Sequence, residues 1–272
     1  MVHRNYGLPA FVSPDSMVIC SSYSGNTEET LSAFEMAKIK GCRTISITTN
    51  GQLAKITSEN RSPLATLPKG FPPRAALGYS FSAMLILLGR LRICRDYSVE
   101  LSEEAEFLSE ESIKYRFESV ANPALELAQK ISGKIPIIYS GPDLLETVGL
   151  RIKGQICENA KQLAFSNIFP EFNHNELVGW ESAKAFGDRL IVIILKDQDD
   201  HPQVKKRMAI FGEIMESKGV GVEEILGIGK SSLQRMLALI QLGDFLSYYL
   251  ALLNEVDPTP IEVIDLLKEK LG

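Results

Sequence analysis

Residues 17–48 read MVICSSYSGNTEETLSAFEMAKIKGCRTISIT, and the order of patterns in them decides the fold class. Residues 17–20 form a short apolar run of the kind carried by a buried strand. Residues 21–27 are rich in turn formers. Thr27 suits an N-cap, Glu28 and Glu29 complement the positive end of a helix, and Gly41 suits a left-handed stop, so a helix is predicted over 27–40. Residues 43–48 then read as a second strand. Strand, loop, helix and strand in that order make a βαβ unit, which implies a parallel sheet.

Outward from this stretch, a third strand is predicted near 63–67, a break at 70–74 and a helix over 75–93. A Glu-rich helical segment over 102–119 and a helix over 122–130 have the character of a connector. The pattern then restarts, with a strand at 135–139, a turn at 140–143 and a helix to about 163. Strands at 189–195 and 220–226 follow, with helices over 203–218, 233–253 and 260–271. The expected architecture is α/β, with two lobes that each hold a mainly parallel sheet flanked by helices. The expected boundaries are 1–100 for the first lobe, 101–130 for the connector and 131–272 for the second lobe.

The chain has 272 residues and a formal net charge of -5. A mildly acidic chain without a Lys/Arg run lacks the electrostatic footprint of a nucleic-acid binder and is repelled by anionic membrane surfaces. The apolar stretch at 83–88 is too short to span a bilayer, and residues 1–9 hold no signal-peptide run. Cys20, Cys42, Cys94 and Cys157 are widely spaced with no CxxC pair, which points to buried, reduced thiols in a cytoplasmic protein. His3, His174 and His201 have no zinc-type spacing, so neither metal nor cofactor is expected. Gly227-Ile-Gly-Lys-Ser-Ser232 lacks the first glycine of a P-loop and reads as a strand-to-helix turn. Asp197-Gln-Asp-Asp-His201 lacks calcium-loop spacing and reads as a solvated turn.

Two segments carry chemistry. Ser22-Tyr-Ser-Gly-Asn-Thr-Glu-Glu-Thr30 lies between a strand and a helix start, where orphan N–H groups and the helix dipole favour an anion. Ser22, Ser24 and Thr27 add hydroxyls, and Gly25 allows close backbone approach. The residues alone equally allow a Ser-rich turn with an N-cap. Residues 154–181 close a helix and then gather Pro, Asn, His and the single Trp into one loop. Glu158 and His174 are a carboxylate and an imidazole suited to general acid–base work. Taken singly, each also fits a solvated helix carboxylate and a hydrogen-bonded loop histidine.

SYSGNTEET resembles the phosphosugar-binding loop of the sugar isomerase (SIS) fold. ENAKQLAFSNIFPEFNHNELVGWE, residues 158–181, is similar to the active-site segment of the bifunctional phosphoglucose/phosphomannose isomerases. The resemblance implies two SIS lobes, a phosphorylated hexose substrate, and interconversion of glucose 6-phosphate or mannose 6-phosphate with fructose 6-phosphate through a cis-enediolate. It implies that Ser22, Ser24 and Thr27 hold the phosphate and that Glu158 shuttles the proton between C1 and C2. His174 would assist ring opening from across a homodimer interface. Phe71-Pro-Pro-Arg-Ala-Ala76 resembles a family motif in which Arg74 supports the enediolate. Residues 257–271 resemble the family's closing helix, with Lys268 matching the ring-opening lysine, Lys270 its rival, and Thr259 near the sugar C2. A non-catalytic phosphosugar-binding module and another SIS isomerase, such as a glucosamine-phosphate type, are the alternatives. In the family the first lobe opens with a further strand and a Gly-Gly-Ser turn. None precedes Met17, so the first lobe is expected to be incomplete at its start, with an exposed sheet edge.

Overall fold

The computed structural model describes residues 1–271. They form two compact units, one ending at Ser102 and the other beginning at Glu103.

The first unit is built on a parallel sheet of order β1-β2-β3, with β1 at Met17–Ser21, β2 at Arg43–Thr48 and β3 at Leu64–Thr66. Ile19 stands opposite Ile45, and Ser46 opposite Leu64. The central strand β2 is buried along residues 44–48. A strand covered on both faces loses the period-2 alternation and reads as a continuous run. Helices α1 (Glu28–Ile39) and α2 (Gly51–Glu59) supply Phe34 and Leu53 to a small core with Cys20. The buried hydroxyls on β2 find partners: Thr57 Oγ1 donates to Ser46 Oγ at 2.7 Å, and Thr44 pairs with Ser62 at 2.8 Å. A 3-10 turn at Pro73–Ala76 leads into α3 (Leu77–Arg90), and α4 (Ser98–Ser112) begins in this unit with most of its residues belonging to the second.

The second unit holds a parallel sheet of order β5-β4-β6-β7. Its strands are β4 (Ile135–Ser140), β5 (Phe165–Ile168), β6 (Leu190–Lys196) and β7 (Gly221–Leu226). The helices are α5 (Pro123–Ile131), α6 (Glu146–Ala160), the short α7 (Glu176–Gly179), α8 (Pro202–Ser217), α9 (Ser232–Leu253) and α10 (Glu262–Leu271). One face of the sheet packs on α5, α6 and α9, and Tyr115 and α5 contribute directly to that core. The other face carries an aromatic cluster of Tyr139, Phe169, Phe172, Trp180 and Phe211. By length and composition α9 could cross a membrane. Its apolarity is that of a core helix: Leu239, Leu246, Leu250 and Ala251 are buried, and it carries Arg235 and Asp244.

Most elements fall within a few residues of their sequence expectations, and three differences have physical causes. Helix α2 buries only Leu53 and Thr57, and β5 is a half-exposed edge strand containing Ser and Asn, so neither presents a readable apolar pattern. In the turn at 197–201, Gln198, Asp199 and His201 are exposed as expected, but Asp197 is not. Asp197 is 4% exposed and accepts from Arg235 Nε at 2.7 Å and from the second guanidinium nitrogen at 3.0 Å. Arg235 is buried on the core helix, and burying a guanidinium demands a carboxylate partner.

Candidate active site

The Ser-rich loop after β1 is held by a backbone interlock with the loop after β2. Gly25 has φ +72°, and a Cβ on it would stand 1.9 Å from the carbonyl oxygen of Asn50. Leu53 N donates to the Gly25 carbonyl at 2.8 Å, and Gln52 N to Asn26 Oδ1 at 3.0 Å. The Tyr23 carbonyl accepts from Thr49 through both its amide and its hydroxyl. Within this frame Ser22 Oγ and Thr27 Oγ1 share a hydrogen bond of 2.8 Å, and the Gly25 amide donates to Ser22 Oγ at 3.1 Å. Thr27 occupies the N-cap position of α1, but its hydroxyl caps no amide. This corrects the expected capping role, because the hydroxyl turns back to Ser22. The Ser24 hydroxyl accepts from Asn26 N at 3.3 Å. Two facing hydroxyls beside the first turn of a helix form an arrangement suited to phosphate oxygens.

Arg74 lies on the 3-10 turn after Gly70-Phe71 in the same unit. Tyr23 fastens that segment to the loop: its hydroxyl donates to the Pro68 carbonyl at 2.8 Å and accepts from Phe71 N at 3.3 Å. The structure therefore brings Ser22, Ser24 and Thr27 together and ties the Arg74 segment to them.

Glu158 sits in the last turn of α6, half-buried. The rotation of α6 is set by polar contacts with α9. Arg151 and Gln155 both donate to Asp244 at 2.8 Å, and Asn159 Nδ2 donates to Ser247 Oγ at 2.9 Å. Burial pushes the Asp244 carboxyl above its ordinary pKa range, and Arg151 works against that shift. Helix α6 ends at Lys161, which takes the left-handed conformation at φ 53° and ψ 30°. Lys161 Nζ donates to the Glu158 carbonyl at 2.7 Å and to the Pro258 carbonyl at 3.2 Å. That bridge brings Thr259 to the Glu158 end of the helix. Thr259 N in turn donates to Asp257 Oδ1 at 2.8 Å.

His174 is exposed at the end of a 3-10 turn, Glu171–His174, on a separate loop of the same unit. Phe172 anchors the loop in the aromatic core. Glu176 anchors it from the other side, accepting from the Tyr139 hydroxyl and from Asn167 Nδ2 at 2.6 Å. Trp180 Nε1 donates to the Tyr139 hydroxyl at 3.1 Å. Burial, then the Glu176 hydrogen bond, drive the Tyr139 phenol well above its ordinary pKa. Lys268 and Lys270 lie in the last turn of α10, and Lys268 Nζ pairs with Asp265 at 3.4 Å while remaining largely exposed.

The residues missed by sequence reasoning are Tyr23, Lys161, Glu176 and the Asp244–Ser247 pair. Tyr23, Lys161 and Glu176 sit inside the motifs already quoted, so their place was visible. Asp244 and Ser247 lie on α9, about 90 positions from their partners, with no local signal. Among the described residues, no group of three or more His, Cys, Asp or Glu side chains is placed to hold a metal ion. The four cysteines are free, and burial pushes the Cys20 thiol up to about 11.

Known proteins resemble this chain along all or nearly all of its length. The model of the bacterial phospho-glucose isomerase C-terminal SIS domain matches residues 120–271. The bifunctional phosphoglucose/phosphomannose isomerase of Caldicellulosiruptor bescii is 44% identical over 274 residues, which cover 100% of this chain and 81% of that protein. The protein of the same name from Aquifex aeolicus is 40% identical, over 99% of this chain and 80% of its own length. The crystal structure of a glucose-6-phosphate isomerase-like protein from Thermus thermophilus superposes with a TM-score of 0.64 at 22% identity, covering 93% of this chain and 88% of that one. At that identity the likeness concerns the fold alone.

Proposed function

The chain belongs to the bifunctional phosphoglucose/phosphomannose isomerase family, and from that premise we propose that it interconverts glucose 6-phosphate and mannose 6-phosphate with fructose 6-phosphate. The observation that carries this reading is the 44% identity to the Caldicellulosiruptor bescii isomerase along the whole chain. The geometry supports it. The facing Ser22 and Thr27 hydroxyls, with Ser24, suit the substrate phosphate. Glu158 is the proton shuttle between C1 and C2, and the α6–α9 contacts hold the helix that carries it.

The remaining roles follow the family pattern. Lys268 and His174 assist ring opening. Glu158 takes the proton beside the carbonyl, leaving an enediolate whose charge Arg74 supports, and returns that proton to the adjacent carbon. Thr259 contacts the sugar near C2. The enzyme works as a cytoplasmic homodimer, with His174 reaching the partner's site, at the hexose-phosphate step common to glycolysis and gluconeogenesis.

The test is Glu158→Gln. Removing a general base costs about 10²–10⁴-fold in rate, so turnover on all three sugar phosphates collapses by that factor. Calorimetric affinity for fructose 6-phosphate stays within about threefold, because the phosphate contacts are untouched. Near-normal turnover in the variant sinks the assignment of the base.

A further inference from the structure

Lys161 breaks a local rule of backbone conformation. It ends α6 in the left-handed region, at φ 53° and ψ 30°. Glycine is the default residue there, because an L side chain crowds the following carbonyl. On backbone grounds alone a glycine would be better accommodated at this position than a lysine. Arg61, Arg92, Asp143 and Glu255 share the positive φ, so it is the contacts of its side chain that set Lys161 apart. Lys161 is also exposed, so burial does not force its contacts.

Those contacts are specific. The ammonium donates to three carbonyls, those of Glu158 at 2.7 Å, Pro258 at 3.2 Å and Asn159 at 3.5 Å. Two belong to the C-terminal turn of α6, where a cation also meets the negative end of the helix dipole. The third lies 97 residues away, in the turn Asp257-Pro-Thr259. That turn is knotted on its own side by Thr259 N donating to Asp257 Oδ1 at 2.8 Å. The Thr259 amide and then its hydroxyl hold the Asp257 carboxyl below its ordinary pKa, and the Lys161 charge adds to the effect. One lysine therefore links the helix end bearing the base to the turn bearing Thr259.

We infer that Lys161 is a positioning residue: its ammonium tethers the Thr259 turn to the Glu158 end of α6 and so sets how turnover divides between C2-epimeric sugar phosphates. The inference rests on the isomerase reading above. C2 epimers differ only in the direction of one hydroxyl. A hydrogen-bonding group displaced by about an ångström near C2 therefore alters their relative transition-state binding.

Two variants of the full chain test this. Lys161→Met keeps the length of the side chain and removes the donors. Lys161→Gly removes the donors and suits the backbone better. The expected result is that both speed exchange of the Thr259 amide, which Asp257 Oδ1 holds, by about tenfold or more. Both also shift the ratio of kcat/KM for mannose 6-phosphate over glucose 6-phosphate by about threefold or more, while Lys161→Gly melts at or above the wild-type temperature. A Lys161→Gly protein with wild-type exchange and an unchanged ratio overturns the inference, since only the backbone then matters. Equal loss on both sugars that tracks a fall in melting temperature overturns it too. A wild-type chain that turns over neither sugar defeats the isomerase reading instead, and the exchange measurement then decides the tether alone.

Discussion

Arg235 is the largest of the fully buried side chains, at 1% exposure, and its guanidinium is matched by Asp197 in two hydrogen bonds and by Asp199 in a third. Removing Asp197 leaves the buried guanidinium with only the largely exposed Asp199 as its counter-charge. Asp197→Asn is therefore expected to cost about 3–5 kcal/mol, read as a lowered urea midpoint at unchanged slope. Burial pushes the Asp197 carboxyl up, but the Arg235 hydrogen bonds and the Asp199 amide outweigh it and leave the folded pKa below the ordinary range. A depressed carboxylate pKa stabilises fully above the unfolded value of about 3.9 and loses that contribution as pH falls through the folded value. The wild-type stability advantage over Asp197→Asn should thus be constant at neutral pH and shrink only below about pH 4; an advantage that stays constant down to pH 2 refutes the assignment. At this scale the sequence was partly legible. Ser22, Ser24 and Thr27 were readable as a hydroxyl cluster, yet the turn of Thr27 toward Ser22 instead of its own helix was not, because both geometries use the same residues.

At the scale of elements, α6 and α9 decide where Glu158 points. Their close approach is made at Gly243, where an added Cβ would stand 2.4 Å from Cγ1 of the buried Ile152. Alanine has about 1 kcal/mol better helix propensity than glycine, whereas overpacking costs about 1–3 kcal/mol. The two nearly offset, so the single variant Gly243→Ala is a weak test of the contact. A double-mutant cycle is a strong one. Ile152→Ala alone should cost about 2–5 kcal/mol, and combined with Gly243→Ala it should cost less than the sum by about 1 kcal/mol or more. Additivity within about 0.5 kcal/mol in urea titrations would mean that the two side chains do not meet. The strands β2 and β6 were legible as continuous apolar runs because parallel strands are buried on both faces. The edge strand β5 and the small helix α2 were not, because each buries too little to pattern its sequence.

For the whole molecule, the proposed dimer makes a prediction that neither residue nor element can. If His174 serves the partner's site, Glu158→Gln and His174→Gln subunits are each deficient alone but complementary when mixed. Equal mixing after reversible dissociation gives one intact site in half of the dimers, or about a quarter of wild-type turnover for a two-fold assembly. No recovery would place His174 and Glu158 in the service of the same subunit. The amino-acid sequence by itself determined the fold class, the parallel sheets and the motifs that carry chemistry, because buried strands, helix ends and phosphate-loop residues are local patterns. Only the tertiary structure decided that Asp197 is a buried counter-charge, that Asp244 and Ser247 orient the base-bearing helix, and that Lys161 reaches Pro258. Each of those depends on groups far apart in the chain meeting in space, and a hydrogen bond between distant residues leaves no periodicity in the sequence from which it could be read.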